Sequence, residues 1–376
     1  MTNAVLTDAR DGIPNGFLKI RDTVYASRAQ EIPENKTVVS SAFSSDNPWL
    51  ATNEAASIWA AAKARVAVFA PNSFAIQGKR ACFFGYFESI EQPDDPEGTQ
   101  AVLSRAESWA RDKGAEWIFG PINFSTYGNY RIRLSAEPDA ITFPGEPYNP
   151  DYYQDLLENC GYQLHHSYLT QISTTGQLTP ARTARKASSA AIKSGGFTIK
   201  PLTHEKWLRS QDEFQALIDR IFERNFAYTP LSKSMFRRMC GRSYIKKADP
   251  DVSVMCLAPG GEIVGFFLVY PHYGPLVIRG AGENRVPVDS LNFETHWPQL
   301  EALGHRVAVA KSVGVDPAYR DKGVMSALAL ALIDYGEGRY ERWIGALIRA
   351  DNPSRRFGDS IETQIRTYGL YSKQLF

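Results

Sequence analysis

Arg320, Lys322 and Gly323 lie in a stretch, Val313-Gly314-Val315-Asp316-Pro317-Ala318-Tyr319-Arg320-Asp321-Lys322-Gly323-Val324-Met325-Ser326, whose residue types suit the holding of a phosphate or pyrophosphate. The apolar run before Asp316 reads as a strand, Pro317 as a turn, and the Ala- and Leu-rich run from Ser326 to Tyr335 as a helix. A loop at a helix start has backbone N–H groups without helical acceptors, and the helix dipole adds positive potential there. Arg320 and Lys322 add charge, and Gly323 lets the main chain approach a ligand closely. Taken alone, the same residues also describe an ordinary strand–turn–helix with surface charges.

The stretch resembles motif A of the GNAT superfamily of N-acetyltransferases, an apolar strand and V-x-P-x-x-R followed by R/Q-x-x-G-x-G/A opening a helix. Val315 to Arg320 and Arg320 to Val324 fit that pattern, and Met325 departs from it, standing where Gly or Ala is usual. The resemblance implies that Arg320, Asp321, Lys322, Gly323, Val324 and Met325 hold the pyrophosphate of acetyl-coenzyme A or another acyl-coenzyme A through main-chain amides. A side chain at 325 keeps the amide but could crowd the phosphate. It further implies that pantetheine lies between two splayed strands, with amides of Val313, Gly314 and Val315 on the thioester carbonyl. Asn352 and Arg355 would flank pantetheine and phosphate.

Acyl transfer to an amine needs a base or water chain for the amine and a proton for the departing thiolate. In the family the proton donor is often a Tyr on the last helix or strand. Tyr368 and Tyr371 lie three apart, so on a strand they face opposite sides, and Tyr368 is the expected donor. Each also reads as a core aromatic. His272, Glu283, Glu294 and His296 are the candidate bases, each equally a structural or surface group. Proximity alone can supply much of the rate, so an enzyme does not require any of them.

These residues need a scaffold. A chain of 376 residues is comfortable for two domains, and its net charge of +1 gives no global field for nucleic acid or an anionic membrane. No apolar run approaches the ~20 residues of a membrane span. Residues 1–12 lack the order of a signal peptide. Cys82, Cys160, Cys240 and Cys256 are scattered, as expected for reduced thiols of a cytoplasmic protein, and no metal-ligand spacing occurs among the six His.

Along the chain, residues 1–16 read as flexible, 17–21 as a strand, and Ala-rich 51–64 as a helix. Residues 65–70 and 80–88 read as a hairpin, 99–113 as an amphipathic helix, 116–121 as a strand, 150–160 as a helix and 162–173 as a strand. This run resembles bacterial acetyltransferase-like proteins with a G-P-x-x-F-S stretch (Gly120 to Ser125), an N-P-x-Y-Y helix (Asn149 to Tyr153) and a following Gly161-Tyr162. No R-x-x-G-x-G precedes the helix at Thr99, and Asp94, Asp95 and Glu97 in the loop there would repel a pyrophosphate.

Residues 174–196 form a basic linker, either simply solvated or a docking strip for an acyl carrier protein. The second half continues with a strand at 197–201, helices at 205–225 and 232–240, and a hairpin at 252–257 and 262–270. The longer segment 271–303 is expected to cover the substrate end of the cleft. Strands at 306–315, 341–348 and 365–375 complete the half, with a short helix opening at Asn352. Arg131, Arg133, Arg237 and Arg238 read as solvated faces.

The expected fold is α/β, two tandem GNAT-like domains, each a mixed twisted sheet flanked by helices. Residues 17–173 form a degenerate N-terminal domain and 197–376 the acyl-coenzyme A-binding domain. N-myristoyltransferases and Fem-type aminoacyl transferases also pair two such halves. The expected function is transfer of an acetyl or longer acyl group to a primary amine, most simply a small molecule. Competing readings are an acyl carrier protein or aminoacyl-tRNA donor on the same fold, or a non-catalytic binding protein.

Overall fold

A computed structural model describes residues 3–352 and 363–376. The chain divides into two compact units, the first comprising Met1–Tyr168, Ile278–Arg285 and Arg366–Phe376, the second Leu169–Val277 and Val286–Ile365.

The first unit contains β1 (Ala4–Asp8), α1 (Asn15–Val24), α2 (Lys36–Ala42), β2 (Glu54–Ala60), β3 (Ala64–Ala70), β4 (Ala75–Ile76) and β5 (Lys79–Ser89). It continues with α3 (Glu97–Asp112), β6 (Trp117–Gly120), β7 (Ile132–Ser135) and α4 (Tyr153–Asn159); β8 (Gln163–Thr174) carries the chain into the second unit. Strands β1, β2, β3 and β5 pair antiparallel in that order, and β6 joins β5 in parallel. Val102, Leu103, Ala106 and Ala110 of α3 are buried at helical spacing in a core shared with β2 and β3.

Three sequence expectations fail here. The supposedly flexible N-terminal stretch supplies β1, paired Ala4↔Ala60 through Asp8↔Ala56. Residues 17–21 lie in helix α1, which buries Phe17, Leu18 and Ile20. The Ala-rich run is strand β2 rather than a helix, with Ala55, Ala56, Ile58 and Ala60 almost without exposure. Helix propensity is a weak prior, and a strand enclosed by β1, β3 and helices on its faces gains more from burial.

The second unit contains α5 (Thr179–Ser194), β9 (Thr198–Pro201), α6 (His204–Arg209), α7 (Gln211–Phe222), α8 (Lys233–Met239), α9 (Arg242–Ile245), β10 (Val254–Leu257) and β11 (Ile263–Pro271). After these come α10 (Gly274–Val277), α11 (Phe293–Ala302), β12 (Val307–Val315), α12 (Val324–Gly336) and β13 (Arg342–Arg349). The strand order is β9-β10-β11-β12-β13, antiparallel except for β12 with β13. The single helix expected over 205–225 is two, broken at Ser210. The linker is largely α5, which packs on α12.

Two segments depart from the expected domain limits. Residues 278–285 belong to the first unit: Arg279 and Gly280 donate backbone N–H groups to Glu31 and Ala29 carbonyls at 2.7 and 2.8 Å. The Arg279 guanidinium also meets the Glu31 carboxylate at 3.0 Å. Strand β14 (Gln364–Gln374), expected to close the second domain, pairs from Thr367 to Gly369 with β7 and from Tyr371 to Gln374 with β6.

Candidate acyl-donor site

Strand β12 leads into the site. It pairs with β13 only from Val307↔Arg342 to Ala310↔Gly345, and beyond that the two strands separate. Each strand bends at a residue with positive φ, Ser312 (62°) and Leu347 (59°). At Ser312 the pairing with β11 shifts by one residue, from Leu268↔Lys311 to Phe267↔Val313, which marks a β-bulge. The Leu347 N–H turns to the Thr170 hydroxyl at 3.2 Å.

The bulge sets which amides face the opening. Asp316 N–H donates to Val264 carbonyl at 2.9 Å. Residues of an antiparallel strand alternate between facing and turning from their partner, so Gly314 also faces β11. Val313 and Val315 turn the other way, toward the space left by β13. Of the three amides expected to meet a carbonyl, Gly314's is therefore turned to β11. Gly314 serves packing instead, since a Cβ there would stand 2.7 Å from Ile221 of α7.

The loop that follows is tied down by its own polar groups. Asp316 accepts from Ala318 N–H at 3.0 Å and pairs with Arg220 at 2.8 Å. Arg320 is exposed, and its guanidinium donates to the carbonyls of Ile221 (3.1 Å) and Val315 (3.4 Å). Lys322 is exposed with its ammonium 4.5 Å from the Tyr319 ring centre, and Asp321 is exposed beside it. Gly323 adopts φ 80°, a left-handed conformation that glycine takes without penalty. Helix α12 begins at Val324 after the N-cap Gly323, and among the described residues no side chain caps its first-turn amides. Free first-turn donors together with the helix dipole are the features that suit an anion.

Met325 does not crowd that end. It lines a cavity of about 110 Å³ bounded by α12, β8, β11, β12, β13 and Leu178, mostly apolar but with Gln171 and Lys311 in its wall. Asn352 closes a turn through its N–H to Arg349 carbonyl at 2.9 Å. Arg355, and most of the helix expected to open at Asn352, lie outside the described residues.

Tyr368 is not a solvent-facing proton donor. It has no exposure, and its hydroxyl donates to Glu146 at 2.6 Å. Arg366 bridges the same Glu146, at 2.9 Å, and Glu137. The reason is the pairing of β14 with β6 and β7, which puts Tyr368 inside the first unit. Tyr371 is equally buried and bonds Glu158 at 3.3 Å.

The candidate bases serve elsewhere. His272 and His296 are buried, and their Nδ1 atoms lie 3.2 Å from the Gly274 N–H and 3.0 Å from the Asn292 carbonyl. Glu283 and Glu294 are exposed, and neither lines the cavity. Sequence reading missed Ser312 and Tyr244, whose hydroxyls meet at 3.1 Å beside the bulge. Burial pushes the Tyr244 phenol up to about 12, so it stays protonated near neutrality. Neither residue belongs to a motif; a hydroxyl residue just before Val313-Gly314-Val315 was the one available signal.

Arg131 corrects another expectation. It is buried rather than solvated, with its guanidinium 3.6 Å from the Tyr130 ring centre and 3.8 Å from that of Tyr168. Burial pulls its pKa down to about 10. Among the described residues no group of His, Cys, Asp and Glu could hold a metal, and no helix is long and apolar enough to cross a membrane.

A strand that splays from its parallel neighbour and then enters a helix through a glycine loop is the strand–loop–helix frame of the GNAT fold. Residues 217–357 match the profile of the Acetyltransferase (GNAT) family, and the chain is a tandem GNAT-fold protein. Among solved structures it is similar over its whole length to a tandem GNAT protein from the clavulanic acid biosynthesis pathway. That likeness has a TM-score of 0.55 at 11% identity and covers 99% of the other chain. It is also similar to the glucosamine N-acetyltransferase region of a fungal multi-domain β-N-acetylglucosaminidase, with TM-score 0.52 and 13% identity, covering 99% of this chain and 38% of that one. Among curated proteins, Protein YghO of Escherichia coli (strain K12) is 22% identical over 261 residues, 66% of this chain and 62% of YghO. The match thus spans about three-fifths of that relative's length.

Proposed function

We propose that the protein is an N-acyltransferase that moves an acyl group from acyl-coenzyme A to a primary amine. The observation that carries this reading is the pairing of an uncapped α12 N-terminus with an opening between β12 and β13 into which Val313 and Val315 turn their backbone groups. The first-turn amides of α12, with Lys322 and Arg320 nearby, suit the pyrophosphate. The Val313 amide suits the thioester oxygen, which gains negative charge as the amine attacks. The amine nitrogen bonds to the carbonyl carbon as the carbon–sulfur bond breaks. The Tyr244 hydroxyl, through Ser312, supplies a proton to the leaving thiolate, and water carries the proton lost by the amine.

A cytoplasmic setting suits this chemistry and is part of the proposal, since all four cysteines are free thiols. A small-molecule amine is the preferred acceptor. An acyl carrier protein remains a competing donor because pantetheine is common to both carriers, and basic α5 is the surface it would use.

The test is a thermal scan with and without coenzyme A on wild type and Gly323→Glu. At a ligand concentration of 100 Kd, the folded state gains about 2.7 kcal/mol and the midpoint rises. Gly323→Glu places a carboxylate at the anion site and should weaken binding at least roughly 100-fold, judged by Coulomb energies at short range. An equal rise in both proteins would remove the loop from the donor site. No rise in wild type would leave the carrier-protein donor to be tried.

A further inference from the structure

We infer that the acyl group carried by the donor is an apolar chain of several carbons rather than acetyl, and that it lies in the cavity beneath the opening of β12 and β13. This rests on the acyl-donor reading above. The cavity measures about 110 Å³, and its walls include Leu178, Met325, Leu332, Ile333, Trp343 and Ile348. Those walls follow α12 from its first turn to Ile333, which at 1.5 Å per residue is a run of roughly 12 Å.

Three observations tie this space to the donor. Met325 belongs both to the helix start and to the cavity wall, so the two sites are continuous. Val313 and Ser312, beside the expected thioester position, line the same space. Met325 also occupies the position where motif A has Gly or Ala, and a flexible thioether suits an apolar chain of variable path. Acetyl would leave most of this volume empty. An apolar cavity of about 150 Å³ stays dry and binds benzene, so 110 Å³ has room for about four carbons in the resting protein.

The experiment measures binding of coenzyme A and its acetyl, butyryl, hexanoyl and octanoyl thioesters to the full chain by calorimetry. Octanoyl-pantetheine is a separate arm. Each methylene that enters the cavity should tighten binding about fourfold, until the cavity is full. Ala346→Phe, which puts a ring at the cavity wall, should abolish that gain, so that the acetyl and octanoyl thioesters bind it alike. Ile348→Ala, a second variant that keeps the test alive should Ala346→Phe not fold, should move the plateau to a longer chain.

Equal affinity for acetyl and octanoyl thioesters overturns the inference while leaving the donor reading standing. A gain with length that Ala346→Phe does not reduce also overturns it, since the chain then binds elsewhere. Octanoyl-pantetheine binding that Ala346→Phe abolishes, without any binding of coenzyme A, keeps the chain site and removes coenzyme A as donor. If neither probe binds, both readings fail.

Discussion

The two units carry the same strand–loop–helix–strand arrangement, and they differ in what fills it. In the second unit, β12 passes to α12 and returns to β13 in parallel; in the first, β5 passes to α3 and returns to β6 in parallel. Both leading strands bend at a positive-φ residue, Ser312 (62°) and Tyr86 (48°). The helix starts then diverge. That of α12 has no side-chain cap among the described residues, whereas Glu91 accepts from the Gly98 and Thr99 amides of α3 at 2.9 and 2.7 Å and from the Thr99 hydroxyl at 3.0 Å. A carboxylate of the chain itself thus sits where an anion would bind. The expected repulsion from Asp94, Asp95 and Glu97 is secondary, because all three are exposed.

The strand openings diverge in the same sense. In the first unit Asn123 fills the gap, its side-chain oxygen accepting from Tyr86 N–H at 2.8 Å while Ile122 N–H donates to Phe84 carbonyl at 2.7 Å. A Cβ on Gly85 would stand 2.5 Å from both Asn123 and Ile122, so the filling is close-packed. The same strand–loop–helix frame can thus satisfy its own donors within the chain without losing the fold. Open donors in one unit and satisfied donors in the other are the physical difference between the two helix starts.

Glu91→Ala attacks this difference most directly. It leaves two buried amides without their acceptor, while the Thr99 hydroxyl keeps Ser89, and should cost about 2–4 kcal/mol of stability, since hydrogen bonds to a charged group are worth ~1.5–3 kcal/mol and buried orphans add to that. Denaturant unfolding gives the number. Coenzyme A binding should stay unchanged, and a second coenzyme site appearing in the variant would mean that Glu91 alone closes the first unit.

Tyr368→Phe sharpens the comparison from the other side. It removes one buried hydrogen bond to Glu146 and should cost about 1–3 kcal/mol, with acyl-transfer rate at saturating substrate within about twofold of wild type. A drop of 100-fold or more in kcat with an unmoved melting temperature would return Tyr368 to the chemistry.

The smallest expected effect is a pH slope. Burial, and then Arg342, pull the His305 imidazole down to about 4, and its buried Nε2 has no hydrogen-bond partner among the described residues. The unfolded chain takes up this proton near pH 6.5, whereas the native state resists until about pH 4. The stabilising contribution is therefore complete above about pH 6.5 and is lost as pH falls toward about 4. His305→Gln should flatten that part of the melting-temperature profile, and an unchanged slope would assign it to other groups.

The parts of the site that could be read in advance are the local ones. Pro317, Gly323 and the Ala–Leu run act on their immediate neighbours, so strand, loop and helix follow from adjacent residues. The cap on α3 was also within reach, since Glu91 stands only seven and eight residues before Gly98 and Thr99. A carboxylate ahead of a Gly-Thr helix start was the signal. Tyr368 could not be read this way. Its environment depends on Glu146 and Arg366, and on pairing with β7 across more than two hundred residues of chain.

By itself the sequence determined the α/β class, the motif A junction and the absence of that junction from the first half, because turn chemistry and periodicity act over a few residues. Tertiary structure decided the rest. It turned an Ala-rich run into β2, gave the last strand to the first unit, set Met325 at a cavity wall and turned the Gly314 amide to β11. Each of these outcomes depends on which distant strand or helix satisfies a backbone group or covers an apolar face, and partners far apart in sequence leave no local trace of their meeting.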